Sequence, residues 1–127
     1  MENRKEYAAG LKHAGCNCCQ SVLLAFAEEA GLPEEELRKL GAAFGVGMGC
    51  QDATCGALVG AGIVLGLLKY QGKPVLRDAA KLHGRFRELC GATLCHELKG
   101  RETGVVLCEC DDCVRNAVAA LEEMPGA

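Results

Sequence analysis

Apolar residues recur at helical spacing along most of the chain, and strand-like alternation is missing except over residues 105–107. A first helix is expected over 4–13, stopped by Gly15, and a second over 18–30, where Val22, Leu23, Phe26, Ala27 and Ala30 fall on one side and Gly31 ends the run. Pro33 reads as the first position of a third helix ending near Ala43, with Glu34, Glu35 and Glu36 in its opening turn, where carboxylates suit the positive end of the helix dipole. GVGMGCQD, residues 45–52, is too rich in glycine for a helix and reads as a loop. From Thr54 or Cys55 to Tyr70 the chain is apolar on nearly every side and carries Gly56, Gly60 and Gly66, so this fourth helix is expected at the centre. Pro74 opens a fifth helix, amphipathic through Val75, Ala79, Leu82 and Phe86; a short sixth covers 94–98 and a last one 113–124.

The expected fold is therefore all-α, a compact bundle of about five to seven helices around a central glycine-rich apolar helix. At 127 residues the chain is long enough for one domain, residues 1–127, with a core that needs no disulfides. The uncharged run from Ala53 to Leu68 falls short of the ~20 residues that cross a bilayer, so no membrane span is expected. The opening stretch MENRKEYAAG lacks the apolar run of a secretory signal, which makes the cytoplasm the expected compartment. A net charge of −3 and scattered aromatics (Tyr7, Phe26, Phe44, Tyr70, Phe86) leave neither a basic footprint nor a stacking platform for nucleic acid.

Ten cysteines change this picture, because in a reducing compartment a disulfide framework does not explain them. Some fill the core as small hydrophobes. Four follow good capping residues: Cys18 follows Asn17, Cys55 follows Thr54, Cys113 follows Asp112, and Cys95 stands two residues after Thr93. Each is thus expected in the first turn of a helix, where free N–H groups and the dipole favour thiolate over thiol. If the four helix starts meet, their sulfurs form a ring of thiolates suited to an iron–sulfur cluster or to a reactive dithiol pair. The run CECDDC adds Cys108 and Cys110 to Cys113 as candidate ligands for a soft ion such as zinc or Cu(I). A simple zinc finger is not expected, since no paired CxxC sites at zinc-finger spacing occur and His13, His83 and His96 do not take ligand spacing. GVGMG lacks the ending of a phosphate loop; Gly47 and Gly49 instead let the backbone approach a cofactor and offer N–H groups to sulfur.

CGALVG, residues 55–60, resembles the CGAxxG signature of the C-GCAxxG-C-C family of redox-active proteins. NCCQSVLLAF from Asn17, the glycine-rich stretch GVGMGCQDATCGALVGAGIVLGL, CHELKG from Cys95 and CVRNAV from Cys113 are similar to that family's other segments, in order. The resemblance implies that Cys18, Cys55, Cys95 and Cys113 are the defining cysteines and leaves Cys16, Cys19, Cys50, Cys90, Cys108 and Cys110 without assigned roles. A similar domain attached to split-Soret cytochromes is associated with an iron–sulfur cluster, and the resemblance implies one here, with an unidentified redox partner protein. Three functions stay open: an iron–sulfur protein for electron transfer or redox sensing, a metal-free dithiol oxidoreductase, and a module that holds zinc or copper. Gly56 and Gly60, at small-xxx-small spacing, suit an internal helix contact or a homodimer contact equally.

Overall fold

The computed structural model describes residues 3–125. Its helices are α1 (Arg4–His13), α2 (Cys18–Ala25), α3 (Ala27–Ala30), α4 (Glu34–Gly41), α5 (Gly56–Lys69), α6 (Leu76–Cys90), α7 (Cys95–Lys99) and α8 (Cys110–Glu122), with a π-helical turn at Gly47–Gln51. No strand forms among the described residues, so the fold is all-α as expected. Residues 105–107 are exposed and irregular; the Val105 N–H donates to Thr103 Oγ1 at 3.1 Å, and the Leu107 N–H donates to the Leu98 carbonyl at 3.0 Å.

Helix ends differ from expectation where side-chain contacts outweigh apolar spacing. The expected second helix is divided at Phe26, whose φ of −111° and ψ of 22° leave the helical region. That break sets the buried Phe26 ring beneath the Arg4 guanidinium, 4.2 Å away, while Arg4 Nε donates to the Ala25 carbonyl at 3.1 Å. Pro33 stands one place outside α4 as its N-cap, with extended ψ of 146°, and Val75 caps α6 in place of Pro74.

The centre is shared among α2, α5 and α8 rather than held by the glycine-rich helix alone. α2 packs on α1, α4, α5 and α8, and α8 packs on α1, α2, α5 and α6. α2 is the more completely enclosed, with Cys19 and every residue from Ser21 to Phe26 buried, whereas α5 shows Gly62 and Leu67 to solvent. The difference follows from packing: α2 is flanked by α1, α4, α5 and α8, whereas α5 leaves one side open.

Two glycines decide how closely α5 approaches α2. A Cβ on Gly60 would stand 2.8 Å from the Cys19 carbonyl oxygen and 3.2 Å from the Cys19 Cα, and one on Gly56 would run into the carbonyl of Phe44. Ala57, between them in the motif, is fully buried. The small residues of CGALVG therefore let the start of α5 lie against the first turn of α2, which is what carries Cys55 towards Cys18. Gly56 and Gly60 are occupied by this internal contact.

Asn17 fixes the other side of that junction. Its side chain accepts from the Gln20 N–H at 2.8 Å while the Gln20 side chain accepts from the Asn17 N–H at 3.0 Å, a reciprocal cap at the start of α2. The same amide donates to the Gly41 carbonyl at 3.0 Å, closing the end of α4. Asn17→Ala removes both functions and is expected to cost about 1–2 kcal/mol. A matching drop in the urea midpoint at unchanged slope checks it.

Candidate metal centre

Cysteine side chains from four separated segments converge where the starts of α2, α5, α7 and α8 meet. A cavity of about 230 Å³ is lined by Cys16, Cys18, Cys55, Cys95, Cys110 and Cys113, with Lys12 and Lys99 also in its wall. Cys18 is the first residue of α2 and Cys95 the first of α7. Cys55 is itself the N-cap of α5, displacing Thr54 from that role, and the Ala57 and Leu58 N–H groups of the opening turn favour its thiolate. Cys113 corrects the expectation more strongly. α8 begins at Cys110, so Cys113 lies a full turn in, and its N–H already donates to the Glu109 carbonyl at 2.9 Å. Glu109, not Asp112, is the N-cap, and Cys110 takes the first helical position.

Backbone pairing places Cys55 beside Cys95. Thr54 and Leu94 form an isolated antiparallel bridge, with the Cys55 N–H donating to the Thr93 carbonyl at 2.8 Å and the Cys95 N–H to the Ala53 carbonyl at 3.0 Å. The glycine-rich segment curls against the same place. Val46, Gly47, Met48, Gly49 and Gln51 all have positive φ, which is costly for β-branched Val46. Arg101 holds the curl by donating to the Cys50 carbonyl at 3.2 Å and to Asp52 Oδ1 at 2.8 Å. Gly47 lines the cavity, and a Cβ there would stand 2.6 Å from Cys95 Cβ. Gly49 and Cys50 are exposed and lie outside the cavity wall.

Behind the cavity lies a second group of sulfurs. Cys90, Cys108 and Cys113 are buried, and their Sγ atoms lie within 4.8 Å of one another, forming a cysteine cluster able to hold a metal ion. Asn116, one turn beyond Cys113 on α8, donates to Cys90 Sγ at 3.3 Å and to Cys108 Sγ at 3.8 Å. Cys108 thus belongs to this inner group rather than to the cavity, while Cys110 faces the cavity and accepts a contact from Lys99 Nζ. Cys90 escaped the capping argument because it ends a helix instead of starting one. Its trace in the sequence is the stripe Leu82, Phe86, Cys90 at four-residue steps, all three buried in α6.

Charge is unevenly distributed over these thiols. Hydrogen bonds from Cys108 and Cys113, helped by Asn116, pull Cys90 down to about 4 against burial. Cys113 lowers Cys55 to about 7, with the Ala57 and Leu58 N–H groups assisting. Cys113 itself is pushed up by its contacts with Cys108, Cys55 and Cys90 and by burial. For Cys108 the contact with Cys113 pulls down, but the one with Cys90 and burial outweigh it, leaving it near about 11. These thiols titrate as one coupled group, in which the contacts favour charge on Cys90 and oppose it on Cys108 and Cys113. Cys18, at about 11, and Cys95 are both raised, chiefly by burial, so desolvation overrides the helix-start effect expected at these two positions. Cys19 is fully buried against Gly60 and burial pushes it to about 12, the behaviour of a core residue.

Histidine takes no part in the sulfur group: His13 pairs with Asp111 at 2.5 Å and His96 with Glu102 at 2.9 Å. Among the described residues no helix is long and apolar enough to cross a membrane. No curated protein and no solved structure matches the chain. The sequence model that does match spans residues 16–124, from the first cysteine to just past the end of α8, and by it the chain belongs to the family described as Putative redox-active protein (C_GCAxxG_C_C).

Proposed function

We propose that this protein transfers electrons or senses redox state through an iron–sulfur cluster held in the cavity by Cys18, Cys55, Cys95 and Cys113. The observation that carries the reading is the meeting of these four sulfurs, from four segments, in the wall of one cavity. The donor set fits such a group. The wall contains thiols and two lysines but no carboxylate or imidazole, and soft sulfur donors without hard competitors select iron–sulfur clusters, zinc or Cu(I). At about 230 Å³ the space far exceeds the ~10–15 Å³ that admits one water, and so suits a polynuclear group better than a lone ion.

When bound, the cluster supplies one-electron chemistry at a potential set by its surroundings. The chain supplies the rest. Lys99 and Lys12 offset the negative charge of the thiolates, Gly47 lets backbone approach where a side chain would collide with Cys95, and Leu98 and Val46 reduce water access. A partner protein delivers or removes the electrons, and a reducing compartment such as the cytoplasm keeps the remaining thiols free.

Anaerobic reconstitution with ferrous iron and sulfide, followed by absorption spectroscopy and iron and sulfide analysis, tests the reading. Absence of both elements from folded protein removes it. Uptake also has a signed pH dependence. Cys18, Cys95 and Cys113 are raised and hold protons near pH 7, so ligation must expel them. Apparent affinity is expected to rise with pH between 6 and 8, by roughly tenfold per unit for each proton released. Calorimetry in two buffers of different ionisation enthalpy counts those protons.

A second reading, thiol–disulfide exchange without metal, is favoured by Cys90, which is pulled down to about 4 beside the sulfurs of Cys108 and Cys113. It requires a reversible two-electron midpoint in metal-free protein. Failure to obtain one removes it.

A further inference from the structure

We infer that Cys90, Cys108 and Cys113 form a separate, buried site for a single soft d10 cation, sharing only Cys113 with the cavity. Cys90 and Cys108 are not among the cysteines that the family motif defines, and neither lines the cavity. The argument is geometric. Zinc–sulfur bonds of about 2.3 Å at tetrahedral angles put sulfurs about 3.8 Å apart. The three Sγ atoms already lie within 4.8 Å of one another, so closing on an ion asks for movements of at most about 1 Å, within the reach of small side-chain rotations.

Three elements deliver these sulfurs and hold them. Cys90 ends α6, Cys108 precedes α8, and Cys113 sits in its first turns, with α6 packed directly on α8. The residues are 4, 8 and 2% exposed, so three of the four tetrahedral positions would be filled by buried sulfurs, with one left open. Asn116 already donates to two of the three sulfurs, as outer hydrogen bonds to ligating thiolates do. No histidine or carboxylate joins the three sulfurs in the group, which favours a soft ion over magnesium or calcium. Binding expels thiol protons to solvent and changes no oxidation state.

Although it shares Cys113 with the proposed cluster, the site can be tested apart from it, with cadmium(II) as the probe. In reduced, anaerobic Cys18→Ser/Cys95→Ser protein, which removes two of the four proposed cluster ligands, a chelator-resistant cadmium with a thiolate charge-transfer band that depends on Cys90 and Cys108 is expected. Adding Cys108→Ser, or separately Cys90→Ser, should weaken that binding at least about tenfold. Unchanged binding in both triple variants overturns the inference. Should the double variant lose its helical circular dichroism, the same titration on the wild-type chain must show two classes of cadmium, of which Cys108→Ser removes one; a pattern untouched by Cys108→Ser overturns it equally. Cys108→Ser must also keep wild-type iron and sulfide after reconstitution, and loss of both there would make Cys108 a cluster residue and defeat a separate site. A chain that takes up no iron yet keeps the cadmium step dependent on Cys108 refutes the cluster and supports this site.

Discussion

Serine at Cys113 is expected to lower the iron retained after anaerobic reconstitution by roughly 100-fold or more, with the helical circular dichroism preserved. Cys113 lines the cavity and also contacts the sulfurs of Cys55, Cys90 and Cys108, so its removal opens both sulfur groups together. The hydroxyl is smaller and harder, and keeps its proton where a thiol would release one. Serine at Cys50 provides the comparison, because that residue is exposed, outside the cavity wall, and turned toward the Gly47 carbonyl at 3.6 Å. Wild-type iron in Cys50→Ser and near loss in Cys113→Ser is the expected pair of results. Equal iron in the two variants would show that the converging sulfurs do not hold the cluster.

The second large effect is a change of sign between two glycines of one helix. Replacing a helical glycine by alanine ordinarily stabilises by about 0.5–1 kcal/mol, since alanine loses less backbone freedom. At Gly62 nothing lies within 4 Å of the added methyl, and Gly62→Ala is expected to gain that amount. At Gly60 the methyl would meet the Cys19 carbonyl oxygen at 2.8 Å and the Cys19 Cα and Val22 Cβ at 3.2 Å. Two of these neighbours are backbone and cannot swing aside. Gly60→Ala is therefore expected to destabilise by about 1–3 kcal/mol, lowering Tm by several degrees. Thermal melts of both variants decide the matter, and a Gly60→Ala protein more stable than wild type would contradict the close α2–α5 contact. The same substitution should reduce iron retention, because the contact it disturbs brings Cys55 towards Cys18.

Both predictions show why the motif CGALVG has its form. Cys55 supplies a sulfur, Gly56 and Gly60 admit the backbones of Phe44 and Cys19, and Ala57 fills the fully buried place between them. A glycine in a helix is costly on its own. Here the cost is offset by the approach of two helices that each carry a sulfur to the cavity.

Much of this arrangement is legible in the chain, because apolar spacing, capping side chains and glycine stops act within a few residues of where they occur. The extent of α1, the reciprocal cap of Asn17 and Gln20, the stop at Gly31 and the apolar character of α5 all follow from local chemistry. Capping also picked out Cys18, Cys55, Cys95 and Cys113, which do share one cavity. It erred on the start of α8 because Asp112 is a good cap in isolation, whereas Glu109 in extended conformation precedes a turn that Cys110 opens.

What only the tertiary structure decided is which sulfurs meet. The pairing of Cys90 with Cys108 and Cys113 depends on the end of α6 packing against the start of α8, and the pairing of Cys55 with Cys95 on the bridge between Thr54 and Leu94. Burial, likewise, set the protonation of Cys18 and Cys95 against the tendency of a helix start. Local patterns determine where helices begin and which faces are apolar, since those preferences are short-ranged. Contacts between distant segments, and the desolvation that comes with them, arise only once the helices have packed.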